Sequence, residues 1–182
     1  MLNPKHNLSG FTLVELLIGI AILGILLATA APSFNTWIQN SQIRTASESI
    51  STGLQLARAE AVRRNTSVTF TLNADSSWNF GCTTAVGDLD GDGNADCPAP
   101  IQTRVASEGS RNAVINLMDN TAVTFNGLGR ATAVMNIGIT NPTGGTCKAS
   151  SGDMRCLSLS VNVGGQIRMC DPALPNTDAQ GC

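Results

Sequence analysis

The chain has 182 residues, 42% hydrophobic and 13% charged, with a formal net charge of −2. That length suits one domain with its own core rather than two, and near-neutrality leaves no global electrostatic footprint for nucleic acid. The only histidine is His6, and neither a G-x-S-x-G elbow nor a glycine-rich phosphate loop with its lysine occurs, so no catalytic constellation stands out and no enzyme is expected.

The chain opens on MLNPKHNLSG, short, polar and carrying Lys5. From Phe11 to Ala31 runs FTLVELLIGIAILGILLATAA, apolar except for Thr12, Glu15 and Thr29. As a helix this stretch rises about 31 Å, roughly one hydrocarbon thickness. The lysine ahead of it predicts a cytoplasmic residue 1–10 segment and an exported remainder. An ordinary secretory signal has a shorter apolar core followed by its cleavage site, whereas here the natural processing point precedes the span. A plain membrane anchor is the simplest alternative. Glu15 argues against it, because a carboxylate at the centre of a span costs about 2.5–3.5 kcal/mol and calls for a partner. Cutting between Gly10 and Phe11 supplies one in the new amino group of Phe11.

The segment SGFTLVELLIGIAILGILLATAAPSF resembles the class III leader and assembly helix of type IV pilins and type II secretion pseudopilins. The resemblance implies cleavage after Gly10 by a prepilin peptidase and N-methylation of Phe11. It also implies that Glu15 acts in subunit docking and that Pro32 ends or kinks the membrane half of the helix.

Beyond Pro32, Ile43, Ala46, Ile50, Leu54, Ala57 and Ala61 recur at three- and four-residue steps, with Arg44, Glu48, Arg58 and Arg63 mostly elsewhere on the wheel. This predicts an amphipathic half-helix over residues 32–64 that lays one face on a sheet. Arg63 and Arg64 suit the negative end of its dipole. Strands are expected at Ser67–Leu72, Ala113–Leu117, Ala122–Phe125, Leu157–Val163 and Gln166–Met169, with a weaker one at Val134–Ile139. The expected fold is α+β, a type IV pilin fold with one long helix on an antiparallel head. Its boundaries fall at 1–10 for the leader, 11–31 for the membrane and assembly helix, 32–64 for the amphipathic half and 65–182 for the head. The segment TFNGLGRAT, residues 124–132, is similar to the strand-turn signature of the GspH/FimT/FimU subfamily of minor pilins and pseudopilins. Gly127 and Gly129 there permit a tight turn that leaves Arg130 near the rim.

All six cysteines lie in the last hundred residues, which reads as a disulfide framework in an oxidising compartment. Zinc is disfavoured by the lack of a C-x-x-C. A two-residue turn at Ser151-Gly152 would set Cys147 opposite Cys156 at bridging distance. Cys170 and Cys182 flank a loop-like DPALPNTDAQG, which leaves Cys82 with Cys97. Fifteen pairings are available to six cysteines, and the nearest-neighbour set is the expectation.

Two further sites are candidates. In GDLDGDGNADC, Asp88, Asp90, Asp92, Asn94 and Asp96 match ligand positions of a calcium loop, but the bidentate glutamate position is Ala99. The alternative is an acidic turn closed by Cys82–Cys97. At the C-terminal hairpin, a loop at Gly164-Gly165-Gln166 would put Ile167 and Met169 on one face with Val161 and Val163, and Arg168 on the other. Similarity to FimT-like pilins implies a DNA-binding Gly-Arg-x-Arg element at this place. The matching residues are Gly165-Gln166-Ile167-Arg168, with glutamine for the first arginine, leaving Arg168 with Lys148 and Arg155 as the basic group. The alternative is an exposed arginine on a solvated strand.

The resemblance implies a minor pilin of a type IV pilus that primes assembly for twitching motility or DNA uptake. The alternatives are a GspH-like pseudopilin of type II secretion and a DNA-binding receptor for transformation. Implied partners are other pilins or pseudopilins, the prepilin peptidase, the inner-membrane assembly platform and, for the receptor reading, DNA. The implied location is a single-pass inner-membrane subunit with a periplasmic head, which then joins a filament.

Overall fold

A computed structural model describes residues 11–88, 91 and 96–182, and of residues 29–33 the helical backbone alone. Helix α1 (Leu13–Arg64) runs for 52 residues. It continues through Pro32, so of the end or kink expected there the helix does not end. A proline removes one N–H and frees one carbonyl a turn earlier, yet the residues on both sides stay helical.

At its C-terminus α1 closes in a Schellman motif. Asn65 adopts a left-handed φ of 49°, its N–H reaches Val62 O at 3.2 Å, and Thr66 N reaches Ala61 O at 3.1 Å. The chain forms two compact units, Met1–Asn35 and Thr36–Cys182. Residues 36–64 of α1 fall in the second unit, where their apolar stripe is part of the head's core.

Two four-stranded antiparallel sheets follow. The first has the order β3 (Gln102–Arg104), β2 (Trp78–Cys82), β1 (Val68–Leu72), β5 (Ala122–Phe125), and the second β4 (Val114–Leu117), β6 (Met135–Thr140), β7 (Leu157–Val161), β8 (Ile167–Cys170). In β1 the alternation of VTFTL buries Val68, Phe70 and Leu72, as a one-sided strand requires. The second unit has one core, joining both sheets to Ile43, Ala46, Ile50, Leu54, Ala57 and Ala61, each no more than 1% exposed.

Strands β2 and β3 were not expected from the sequence. WNFGC carries asparagine and glycine, which weaken strand propensity, yet it pairs with β1 from Val68↔Cys82 to Leu72↔Trp78. Gly81 is required there, because a Cβ would sit 2.8 Å from Ala99 Cα. The hairpin expected at Ser151-Gly152 is also absent. Lys148–Ser150 forms a 3₁₀ turn closed by left-handed Ser151, and Cys147 bridges Met154 in parallel. Met154 is fully buried, and drawing it inward turns this segment out of a plain hairpin. Disulfides join Cys82 to Cys97, Cys147 to Cys156 and Cys170 to Cys182, with Cα separations of 5.7, 5.4 and 5.1 Å.

Candidate functional site

The start of α1 is built by its own sequence. Thr12 is the N-cap: its hydroxyl accepts from Glu15 N at 3.2 Å, and its carbonyl accepts from Leu16 N at 3.1 Å. T-x-x-E is the capping-box spacing, and a carboxylate in the first turn complements the dipole. Glu15 is exposed, as is every residue from Phe11 to Ala28. Phe11 is 86% exposed, and the large apolar side chains from Leu13 to Leu27 are 53–74% exposed. They point around the whole circumference of the helix, so no single stripe could bury them. A helix apolar on all sides belongs in lipid or within a bundle of like helices. Among the described residues no helix is long and apolar enough to cross a membrane. Gly10, the residue before the expected cut, lies outside the described residues, as does the side chain of Pro32.

In the second unit, α1 is fixed by small residues and single polar contacts. A Cβ on Gly53 would lie 2.9 Å from Phe70 Cε2 and 3.0 Å from Trp78 Cε2, so the helix backbone lies directly on that aromatic pair. Trp78 Nε1 donates to Ser49 Oγ at 2.9 Å, which satisfies an indole that is 2% exposed. The subfamily-like segment 124–132 docks the far end. Asn126 Oδ1 accepts from Leu128 N and Arg130 N, both at 3.0 Å. Gly129, at φ 73°, turns its carbonyl to Arg58 Nε at 3.0 Å. Gly165, at φ 76°, abuts the same carbonyl, which a Cβ would meet at 2.0 Å. This turn thus joins the helix to the β7–β8 hairpin.

Charge near the helix end is organised by Glu60, whose carboxylate meets Arg63 Nη2 at 2.7 Å and Arg64 Nε at 2.8 Å. Hydrogen bonding from Arg63, then from Arg64, holds Glu60 below the usual carboxylate range against the opposing effect of burial. Glu60 in turn raises Arg63.

Of the basic residues expected at the C-terminal hairpin, Arg168 and Arg155 are engaged with the tail. The hairpin loop is Val163-Gly164-Gly165 rather than Gly164-Gly165-Gln166, because Gly165 takes the left-handed bulge position. The register is Val161↔Ile167 and Ser160↔Arg168. The predicted faces survive this two-residue shift, since the side-chain period is two. Arg168 Nη2 donates to Gly181 O at 2.8 Å. Arg155 Nε donates to Asp171 Oδ2 at 2.6 Å, and that carboxylate side chain is only 4% exposed. Lys148 is exposed in its 3₁₀ turn and stands apart from this arginine–tail network. Asp171 was not anticipated as a site residue. Its signal was the Asp-Pro step after Cys170, since Asp171 Oδ1 accepts Ala173 N at 2.9 Å in an Asx turn.

Of the candidate calcium ligands, Asp90, Asp92 and Asn94 lie outside the described residues. Asp88 Oδ1 accepts Gly91 N at 2.6 Å, and Asp96 N donates to Gly87 O at 3.2 Å. Among the described residues no group of His, Cys, Asp or Glu could hold a metal ion.

The family model described as type II transport protein GspH matches residues 46–165, and that of the prokaryotic N-terminal methylation motif matches residues 5–31. The type IV major alpha-pilin of Moraxella bovis is 37% identical over 76 residues, 42% of this chain and 48% of that protein. The chain therefore spans about half the length of that curated relative. Among solved structures, the type IV minor pilin FimU of Pseudomonas aeruginosa superposes with a TM-score of 0.51 at 17% identity, covering 75% of this chain and 90% of that one. The minor pseudopilin EpsH from the Type 2 Secretion System of Vibrio cholerae gives 0.50 at 12% identity, covering 73% and 99%. At such identities these two likenesses establish the fold.

Proposed function

The chain belongs to the type II transport protein GspH family of pilin-like structural subunits, and on that premise we propose that it is a minor pilin that enters a type IV pilus. The observation that carries this reading is the apolar first half of α1, exposed on all sides and interrupted by one carboxylate, Glu15. In the proposed cycle, residues 11–31 hold the subunit in the inner membrane as a single span. A prepilin peptidase cuts between Gly10 and Phe11, and the new amine is N-methylated. The helix then leaves lipid for a bundle of like helices, where Glu15 meets the Phe11 amine of a neighbouring pilin at the assembly platform. Pairing offsets the desolvation that either charge would suffer alone.

Replacing Glu15 with leucine leaves that amine unpaired. The Glu15→Leu subunit is expected in the membrane fraction at wild-type level but reduced about tenfold or more in sheared filaments, the equivalent of about 1.4 kcal/mol. Equal recovery of the two forms from filaments would sink the assembly mechanism.

A pseudopilin of type II secretion is the second reading, favoured by the superposition on EpsH at nearly the same score as on FimU. Deleting the gene separates the two. Lost twitching with intact protein secretion supports the pilus, and the reverse pattern supports the secretion system.

A further inference from the structure

The aromatic residues of the chain fall into two groups. Phe70, Trp78, Phe80 and Phe125 belong to the core of the second unit, each no more than 2% exposed. Phe11, Phe34 and Trp37 are 86%, 61% and 65% exposed. These three bracket the apolar run, Phe11 at its start and the other two just beyond its end. Among the described residues of 36–182, Trp37 is the one aromatic side chain that the head leaves outside its core, although the stripe that packs there begins at Ile43.

Charge is distributed around this residue in the same sense. From Leu16 to Ile43 the sequence holds no Asp, Glu, Lys or Arg, and between Pro32 and Ile43 it is mostly Ser, Asn, Thr and Gln. The next charge is Arg44, whose guanidinium meets Glu48 at 2.8 Å with both side chains more than half exposed. Along α1, a hydrocarbon-like run thus gives way to an uncharged polar stretch and then to a solvated ion pair. Trp37 follows Ala31 by two helical turns less one residue, a rise of about 9 Å, or about 8 Å at a typical membrane tilt of about 20°. The headgroup layer of a bilayer is about 5–8 Å deep on each side of the hydrocarbon. A helical side chain also leans toward the N-terminus, here back toward the apolar run. Indole suits that layer, because its ring is apolar and its N–H is a donor.

We propose that Trp37 is an interfacial anchor, its indole seated in the periplasmic headgroup layer of the bilayer, where it fixes how deep α1 sits before assembly. The inference rests on the reading of residues 11–31 as a membrane span and adds to it a depth stop, with lipid as the partner. Moving inward would bury the indole N–H among acyl chains, and moving outward would return the ring face to water, so the boundary is the favoured position. Fixing the depth at this end also fixes how far Glu15 lies inside the opposite boundary, where it must be met when the subunit leaves lipid.

The test uses the full chain reconstituted in phosphatidylcholine vesicles whose acyl chains carry bromine either high, near the glycerol, or low, near the chain ends. Trp78→Phe leaves Trp37 as the only indole. The wild-type emission minus that of Trp37→Phe gives the same signal without touching the core. The proposal expects high bromines to quench Trp37 at least about twofold more than low ones, and aqueous iodide to quench it at least about twofold less than a free tryptophan amide. Ile22→Trp, in a chain with both native indoles replaced by phenylalanine, reports on the span itself and should favour the low bromines; Ile22 is 54% exposed. If that variant does so while Trp37 ignores both lipids and iodide quenches it freely, the span stands and the anchor is overturned. If neither position responds to bromine, both readings fall. Stronger quenching of Trp37 by low bromines than by high ones overturns the anchor too, since the ring would then lie in hydrocarbon. Shielding of Trp37 from iodide and from both lipids, increasing with the protein-to-lipid ratio, overturns it as well, because a second copy of the chain would then cover the ring.

Discussion

Residues 13–27 and residues 43–61 are turns of the same helix, yet they bury in opposite ways. In the first stretch every large apolar side chain is 53–74% exposed; in the second Ile43, Ala46, Ile50, Leu54, Ala57 and Ala61 are at most 1% exposed. The first is richer in leucine and isoleucine, so hydrophobicity alone predicts the wrong half as the better packed. Period decides instead. Apolar side chains at three- and four-residue steps make one stripe that a sheet can cover, whereas a continuous apolar run has no uncovered polar face and must find its neighbours outside the chain. One helix thus serves the head's core on one stretch and, in the proposed function, assembly on another.

Substitutions that treat the two stretches alike should expose this difference. The largest contrast is expected between Ile50→Ala and Ile18→Ala. Ile50 is fully buried and Ile18 is 55% exposed, so the first should destabilise the head by about 2–5 kcal/mol through lost transfer energy and a cavity. The second should change it by no more than about 0.5 kcal/mol. Denaturant unfolding of the full chain in detergent, read by tryptophan fluorescence, checks both, since Trp78 packs on the helix. Loss of head stability in Ile18→Ala comparable to that in Ile50→Ala would erase the distinction.

Glycines give a smaller contrast of the same kind. A Cβ on Gly53 would lie under 3 Å from the Phe70 ring, while one on Gly24 would meet nothing within 4 Å. Gly53→Val should destabilise the head by about 1–3 kcal/mol through overpacking. Gly24→Ala should leave the head unchanged and strengthen the isolated helix by up to about 1 kcal/mol. Thermal unfolding followed by near-ultraviolet circular dichroism reads the first, and helical content in micelles the second.

Much of this architecture was legible because it was written in periods. The buried stripe of α1 follows from spacing alone, and so do β1 and β5, where alternation is clean. The faces of β7 and β8 were also legible although their loop was placed one residue late, because a register shift of two keeps every side chain on its side. What sequence could not give was set by contacts between distant residues. Trp78–Cys82 becomes a strand because Phe70 and Phe80 are directly paired and Gly81 admits the Ala99-Pro100 backbone. Met154 converts an apparent hairpin into a 3₁₀ turn because the core at Gly144 and Gln39 takes its side chain. The turn at residues 124–132 showed its glycines but not their purpose, which is to face Arg58 and Gly165 across the fold. Asp171 escaped notice because its partner, Arg155, lies sixteen residues earlier and only the folded tail brings them together.

The smallest effect tests the point where the helix leaves the core. Glu60 accepts from both Arg63 and Arg64, and Arg64 also donates to the carbonyl of Asp96, so the carboxylate braces the last turn against the loop that follows Gly87. Its pKa is held below the ordinary range in the folded chain, first by the Arg63 hydrogen bond. A depressed carboxylate favours the folded state wherever it is charged, so its contribution is complete above the unfolded-state pKa and disappears as pH falls through the lower folded value. Glu60→Gln should therefore lower stability near neutrality by a few tenths to about 1 kcal/mol, the range for partly solvated helix pairs. The difference from wild type should shrink toward zero on the acid limb. Asp75, also lowered through its bonds from Ser77, is common to both proteins and cancels in that difference. Parallel stability–pH curves for the two, with no convergence in acid, would mean that the carboxylate's charge has no part in holding the helix end.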